Sequence, residues 1–227
     1  MARYFALLPA AGVGARMAVG HPKQYLDIHG RPMLWHAIRA FDTHPGIARV
    51  VVVISPQDDW WDGYDWSGFA RLRMVRRGGA TRAASVLNGL EAMADEAAAD
   101  DWVLVHDAAR PCLSRRLLDK LLTEVDGDAV GGILAAPVAD TLKRAGPGER
   151  IRETVPRAGL WGAQTPQMFP HGLLLRALRQ AGTAVTDEAA AVEAMGLSPR
   201  LVEGDLTNLK VTYPRDLEVA AWLLGRR

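Results

Sequence analysis

One cysteine, Cys112, occurs in 227 residues. An internal disulfide is therefore excluded, and a reducing compartment is the better match. Apolar runs are short: no window reaches the ~20 residues of a membrane span, and the few residues before the first glycine turn do not supply the apolar core of a signal peptide. The expectation is a cytoplasmic protein with no membrane partner. Charge of a single sign is missing too, since 27 basic residues stand against 26 acidic ones. Without a general positive field, nucleic acid is not an expected partner, and any cation that acts must act locally, on something small. The six histidines are scattered, and no His/Cys grouping has the spacing of a zinc site.

What is present is an ordinary globular composition, 49% hydrophobic and 23% charged, at a length that suits one domain over residues 1–227. Apolar runs of strand length stand at "YFALL" (4–8), "RVVVVIS" (49–55), "RLRMV" (71–75), "DWVLVH" (101–106) and "AVGGILAAPV" (129–138). They do not alternate, as strands covered on both faces do not, and stretches of helical spacing separate them. An α/β protein with parallel pairing follows. Pro32 opens a helix carrying Leu34, Ile38 and Phe41, and Thr81 precedes a second carrying Val86, Leu87, Leu90 and Met93. Ser114 caps a third, with Leu117, Leu118, Leu121 and Leu122 inward, and a last helix runs from Pro214 to about Leu224.

Residues 139–156, "ADTLKRAGPGERIRETVP", have two polar, strand-like arms around "GPG" and read as a hairpin leaving the body of the domain. It is either a solvated surface hairpin or an arm grasping a second subunit. The stretch "WWDGYDWSGF" has no interleaved basic residue, which favours packing at the sheet's edge over base stacking. Cys112 is read as a buried structural cysteine.

The first chemical signal is "LLPAAGVGARM" (7–17). Successive N–H groups in a glycine turn form an anion-binding hollow. A Walker A loop needs Lys-Ser/Thr where Arg16 and Met17 stand. The dinucleotide fingerprint starts at Gly12 and Gly14 but has Met17 for its third glycine, and the second strand ends at Ser55 without an acidic residue for a ribose. What remains is a long loop with two cations, Arg16 and then Lys23 in "HPKQYL", a set suited to a triphosphate with a highly charged leaving group.

The blocks "PAAGVGARM", "PKQYL", "GGATRAASVLNGL", "VHDAARP", "DTLKR", "TPQMF", "TDEAAAVE" and "NLKVT" run in order from Pro9 to Thr212. Together they resemble the 2-C-methyl-D-erythritol 4-phosphate cytidylyltransferase family. The resemblance implies a Rossmann-like three-layer α/β fold, with a mostly parallel mixed sheet flanked by helices and a projecting β-hairpin arm. It implies that CTP and methylerythritol 4-phosphate give the CDP-alcohol and pyrophosphate, with Mg²⁺ or another divalent cation. It makes Arg16, Lys23 and Lys210 the catalytic cations. Ala10, Ala11, Gly12, Gly79, Arg82, Ser85, Asp107 and Ala108 would hold the nucleotide, with Asp107 as metal ligand. Arg110, Thr141, Arg157, Thr165 and Thr186 would hold the alcohol phosphate. The arm would make a homodimer, and Arg157 would complete the site of the other subunit.

Plainer readings stand beside these: Asp107 as a turn-initiating aspartate, Arg110 as a surface charge, Thr186 as the N-cap before "DEAAAVEAM". A ribitol 5-phosphate cytidylyltransferase would share the loop, Asp107 and Lys210 but differ around Thr141, Arg157 and Thr165. A guanylyl- or sugar-nucleotidyltransferase would share only the first loop. A nucleotide-binding module without chemistry would have lost Arg16, Lys23, Asp107 or Lys210, and an NAD-dependent oxidoreductase would bind nicotinamide; none of the four residues is lost. Lys23→Ala is expected to lower turnover at saturating CTP by about a hundredfold, the usual cost of one preorganised charge donor. Near-wild-type turnover in that variant would contradict the role given to Lys23.

Overall fold

The computed structural model describes residues 2–12, 21–182 and 185–226, so Arg16 and Gly14 lie outside the described residues. The elements are β1 (Tyr4–Pro9), the short pair β2 (Asp27–Ile28) and β3 (Arg31–Pro32), α1 (Met33–Asp42), β4 (Ile47–Val53), β5 (Leu72–Val75), α2 (Arg82–Ala92), β6 (Trp102–Val105) and α3 (Arg115–Val125). They continue with β7 (Gly132–Pro137), the hairpin strands β8 (Leu142–Ala145) and β9 (Ile151–Val155), β10 (Trp161–Pro170), α4 (His171–Ala181), α5 (Glu188–Glu193), β11 (Arg200–Glu203) and α6 (Pro214–Leu224).

Seven strands form one sheet in the order β11-β7-β10-β6-β1-β4-β5. β1 runs parallel to β4 and β6, β4 to β5, and β7 to β11; β10 alone is antiparallel, between β6 and β7. The five strands expected from sequence are present. β10 and β11 were not legible: β10 carries Pro166 and Pro170 within ten residues, and β11 is four residues, RLVE, with charge at both ends. Prolines demote a strand reading, and a short polar edge strand gives no periodic signal.

Side chains alternate between the two faces. Ala6, Leu8, Val50 and Val52 join Leu34, Ile38 and Phe41 of α1 and Leu117, Leu118 and Leu121 of α3. Phe5, Leu7, Val51 and Val53 join Val86 and Leu90 of α2, Leu174 and Leu178 of α4, and Val192 of α5. Both faces are covered, so β1, residues 50–53 of β4 and β6 run apolar without alternation. The helix starts follow their local signals. Thr81 accepts from Ala84 N–H, Ser114 accepts from Leu117 N–H, and Asp216 takes the N–H groups of Thr212 and Tyr213 at 2.8 Å each. Thr186 is not a cap: Asp187 holds the start of α5, accepting from Ala190 N–H at 3.0 Å. Asp is an equally good cap, and one residue of register decides which side chain reaches the N–H.

β8 and β9 pair antiparallel in a sheet of their own, with Leu142 opposite Val155. The "WWDGYDWSGF" stretch packs as expected beside the β4–β5 edge, with Trp61 stacked on Trp66 at 4.2 Å and both in contact with the core. Cys112 is fully buried. Among the described residues no helix is long and apolar enough to cross a membrane.

β7 starts at Gly132, later than the sequence suggested, because Asp128 Oδ1 accepts from the N–H groups of Val130 and Gly131 and turns the chain there. Gly131 has φ +118°, and a Cβ on it would lie 2.3 Å from Met168 O. Such a conformation costs a side-chain-bearing residue about 1–3 kcal/mol before any clash. Gly131→Ala should therefore lower the unfolding free energy by at least that much, seen as a lower urea midpoint at unchanged slope, and an unmoved midpoint would show that the turn is not under this constraint.

Candidate active site

The site lies where the strand order turns. From β1 the chain winds outward through β4 and β5, then returns to set β6 on the other side of β1, so the loops after β1 and β6 part and leave a crevice at the sheet's carboxyl edge. After β1, Ala10 N–H donates to Val53 O (2.8 Å), and Ala10 O accepts from buried Gln24 Nε2 (2.7 Å). The second bond holds the 3-10 turn Lys23–Tyr25 against the loop and puts Lys23 at the crevice.

The crevice opens into a cleft of about 220 Å³. Ten of the expected site residues line it: Ala10, Ala11, Gly12, Lys23, Gly79, Arg82, Ser85, Asp107, Ala108 and Lys210. A Cβ on Gly12 would meet nothing within 4 Å among the described residues. At Gly79 it would lie 2.5 Å from Ala84 Cβ, so internal packing of α2 already requires glycine there while the backbone still borders the cleft. Gly79 N–H donates to Ser85 Oγ at 3.0 Å, and that hydroxyl donates to Thr81 O at 3.0 Å, which closes the first turn of α2.

Charge is concentrated on one carboxylate. Asp107 is buried, with Arg82 Nε 2.9 Å from Oδ1 and Lys210 Nζ 2.7 Å from Oδ2; Arg110 Nε stands 3.8 Å from Oδ2. Burial by itself would raise the Asp107 pKa, but Arg82, Lys210 and Arg110 outweigh it and hold the carboxyl well below its usual range. Arg82 is also gripped by Glu188 of α5, with Nη1 2.7 Å from Oε1 and Nη2 3.0 Å from Oε2. Desolvation would lower the Arg82 pKa, yet Glu188 and Asp107 together raise it, so the guanidinium stays charged. Lys23 Nζ donates to Val211 O at 3.1 Å, beside Lys210.

The residues expected to hold the second substrate divide. Arg110 is not a surface charge: it is buried, and Nη1 donates to Asn208 O at 2.6 Å. Its Nε is buried without a hydrogen-bond partner, so a donor is left pointing into polar surroundings near Asp107. Thr165 is buried behind the Asp107 loop at a register irregularity of β10, between Ala163 and Gln167, and its hydroxyl accepts from Asp107 N–H at 3.0 Å. Bulges beside sites re-aim side chains in this way. Thr141, Arg157 and Thr186 are exposed and do not line the cleft.

Sequence reasoning missed Gln24, Glu188, Asn208 and His106, all buried. Gln24 and Glu188 stand inside blocks already singled out, but nothing local says that a polar side chain in a turn or at the start of a six-residue helix is turned inward. His106 lies next to Asp107; burial lowers its pKa to about 4, so the ring is neutral near pH 7. Among the described residues there is no group of three or more His, Cys, Asp or Glu placed to hold a metal ion, and Asp107 is the one carboxylate on the cleft wall. A cation of the magnesium kind accepts one carboxylate and takes the rest of its shell from phosphate and water, so Asp107 is the residue here that could hold one, in place of a bond to Arg82 or Lys210.

A doubly wound α/β sheet with a cation-rich, small-residue cleft at its switch point defines a class: proteins that bind a phosphorylated ligand beyond the carboxyl ends of their strands. A family model described as IspD, 2-C-methyl-D-erythritol 4-phosphate cytidylyltransferase, matches residues 4–226. The chain is 59% identical to the 2-C-methyl-D-erythritol 4-phosphate cytidylyltransferase of Dechloromonas aromatica (strain RCB), covering 100% of both, and 56% identical to that of Thiobacillus denitrificans (strain ATCC 25259 / T1), covering 99% of this chain and 98% of the relative. A crystal structure of 4-diphosphocytidyl-2C-methyl-D-erythritol synthase is similar at a TM-score of 0.87 and 45% identity, over 99% of each chain. The Francisella tularensis enzyme is similar at 0.84 and 33%, over 98% of this chain and 100% of the other. The chain belongs to the 2-C-methyl-D-erythritol 4-phosphate cytidylyltransferase family.

Glu188→Gln would set an amide donor against a guanidinium that can only donate. Removing one charge of a buried pair costs about 3 kcal/mol, so the urea midpoint should fall accordingly, and an unchanged midpoint would show that Glu188 does not hold Arg82.

Proposed function

We propose that this chain condenses CTP with 2-C-methyl-D-erythritol 4-phosphate to 4-diphosphocytidyl-2-C-methyl-D-erythritol and pyrophosphate, a step toward isoprenoid precursors. The observation that carries this reading is the gathering of Arg82, Lys210 and Arg110 around Asp107 at the switch point, with Lys23 on the same cleft wall. In the reaction an oxygen of the methylerythritol phosphate attacks the α-phosphorus of CTP, and the bond to the β-phosphate oxygen breaks as pyrophosphate leaves. Two anions must approach, and negative charge gathers on the leaving group. Cations fixed beforehand in a small cleft stabilise that charge without reorganising.

Lys23 and Lys210 serve the transferred phosphorus and its neighbours, and Arg16 belongs with them. Ala10, Ala11, Gly12, Gly79, Arg82, Ser85 and Ala108 border the nucleotide, the small residues admitting it close to the main chain. Arg110 and Thr165 serve the alcohol phosphate from behind Asp107, joined by Thr141, Thr186 and Arg157. A divalent cation held by Asp107, Mg²⁺ or another, would polarise phosphate oxygens and neutralise part of their charge.

The chain acts as one domain and as a homodimer, with residues 139–156 as the dimerisation arm and Arg157 reaching the site of the other subunit. Supporting this, β8 and β9 pair only with each other, and Ile151, Leu160 and Trp161 expose apolar surface on and beside the hairpin, Ile151 at 68%. The compartment is the cytoplasm.

Pyrophosphate release with CTP, ATP, GTP and UTP, each with methylerythritol 4-phosphate or ribitol 5-phosphate, tests the reading. Release should be confined to CTP with methylerythritol 4-phosphate, by roughly a hundredfold or more in kcat/KM, since a site built to bond one partner leaves polar groups unpaired with another. Equal release with ribitol 5-phosphate would overturn the substrate assignment.

A further inference from the structure

His106 is fully buried and does not line the cleft, yet its two ring nitrogens bond to residues on either side of the site, Arg110 in the loop after β6 and Thr165 in β10. Nε2 lies 3.0 Å from Arg110 O, and a carbonyl only accepts, so Nε2 carries the hydrogen. In the neutral ring Nδ1 is then the acceptor, and it takes the Thr165 hydroxyl hydrogen at 3.0 Å. The same hydroxyl accepts from Asp107 N–H at 3.0 Å. Donors and acceptors match along the whole chain of bonds in this one tautomer.

The bonds close on a tight segment. Arg110 N–H donates to Asp107 O at 2.9 Å, and Val211 N–H donates to Ala109 O at 2.8 Å, which ties the Lys210 segment to the same turn. Phe41 of α1 packs edge-on against the imidazole with ring centres 5.1 Å apart, so the ring is also fixed from its apolar side. A histidine needed only to fill the core would not require two directed bonds to residues flanking one carboxylate.

We propose that His106 is a positioning residue for this reaction: a strut that sets Asp107 through Thr165 and sets Arg110 through its carbonyl. The role rests on the functional reading above. His106 moves no proton and touches no substrate; it acts by geometry, and a shift of about 1 Å in reacting groups can cost a hundredfold in rate.

Two substitutions in the full-length protein separate the branches. His106→Asn can keep an acceptor near the Nδ1 position for Thr165 but loses the bond to Arg110 O. His106→Gln can keep a donor near the Nε2 position for Arg110 O but loses the acceptor for Thr165. Urea unfolding gives the folded fraction of each, and kcat and both KM values are measured where the protein is folded. His106→Asn should raise KM for methylerythritol 4-phosphate about tenfold with kcat little changed, while His106→Gln should lower kcat about tenfold or more. If only one variant folds, its half of this contrast decides. Variants that lose stability but keep kcat and both KM values within twofold of wild type would overturn the proposal and leave His106 a packing residue. A folded wild type that releases no pyrophosphate from CTP would overturn the functional reading and this role together, and the wild-type control shows which has failed.

Discussion

The arrangement depends on one ionised carboxylate among guanidinium and ammonium groups. Asp107 lets Arg82, Lys210 and Arg110 share a space in which they would otherwise repel, and those cations keep it ionised despite burial. At an effective dielectric of about 20, each contact near 4 Å is worth about 4 kcal/mol, enough to set side-chain positions. Counting Lys23 and Glu188, four cations and two carboxylates stand at and behind the cleft among the described residues, an excess of two positive charges. The whole chain carries a net charge of only +1, so this is a local excess and not part of a general positive field.

Sheet topology creates the place for that charge. β1 is central, and the chain departs from it to one side and returns on the other, so two loops end at the same edge. The antiparallel β10 brings Thr165 beneath Asp107, and the segment before α6 brings Lys210 over it. α5 is only six residues long, yet its first residue, Glu188, is buried against Arg82. Peripheral elements thus set the orientation of a site that the central strands only locate.

Much of this was readable one segment at a time. The runs of β1 and β4, the caps Thr81 and Ser114, and the start of α6 at Pro214 rest on bonds and side-chain periods within a few residues. β10 was illegible because its two prolines argue against a strand unless the neighbours are known. At α5 the choice of Asp187 over Thr186 turned on a single residue of register. Gln24, Glu188 and His106 gave no local sign of their roles, since the bonds they make run to other elements or depend on a turn that those elements shape.

By itself the sequence determined the α/β class, the principal strands and helices, the absence of an internal disulfide, and ten of the residues that line the cleft. Tertiary structure alone decided which of them meet. The Arg82–Glu188 bonds join residues 106 apart in the chain, and the Lys23–Val211 bond joins residues 188 apart. It also made Arg110 an interior group and left Thr141, Arg157 and Thr186 outside the cleft. The reason is physical: propensity, capping and periodicity act over a few residues, whereas burial and charge pairing depend on distances that exist only after distant segments have packed.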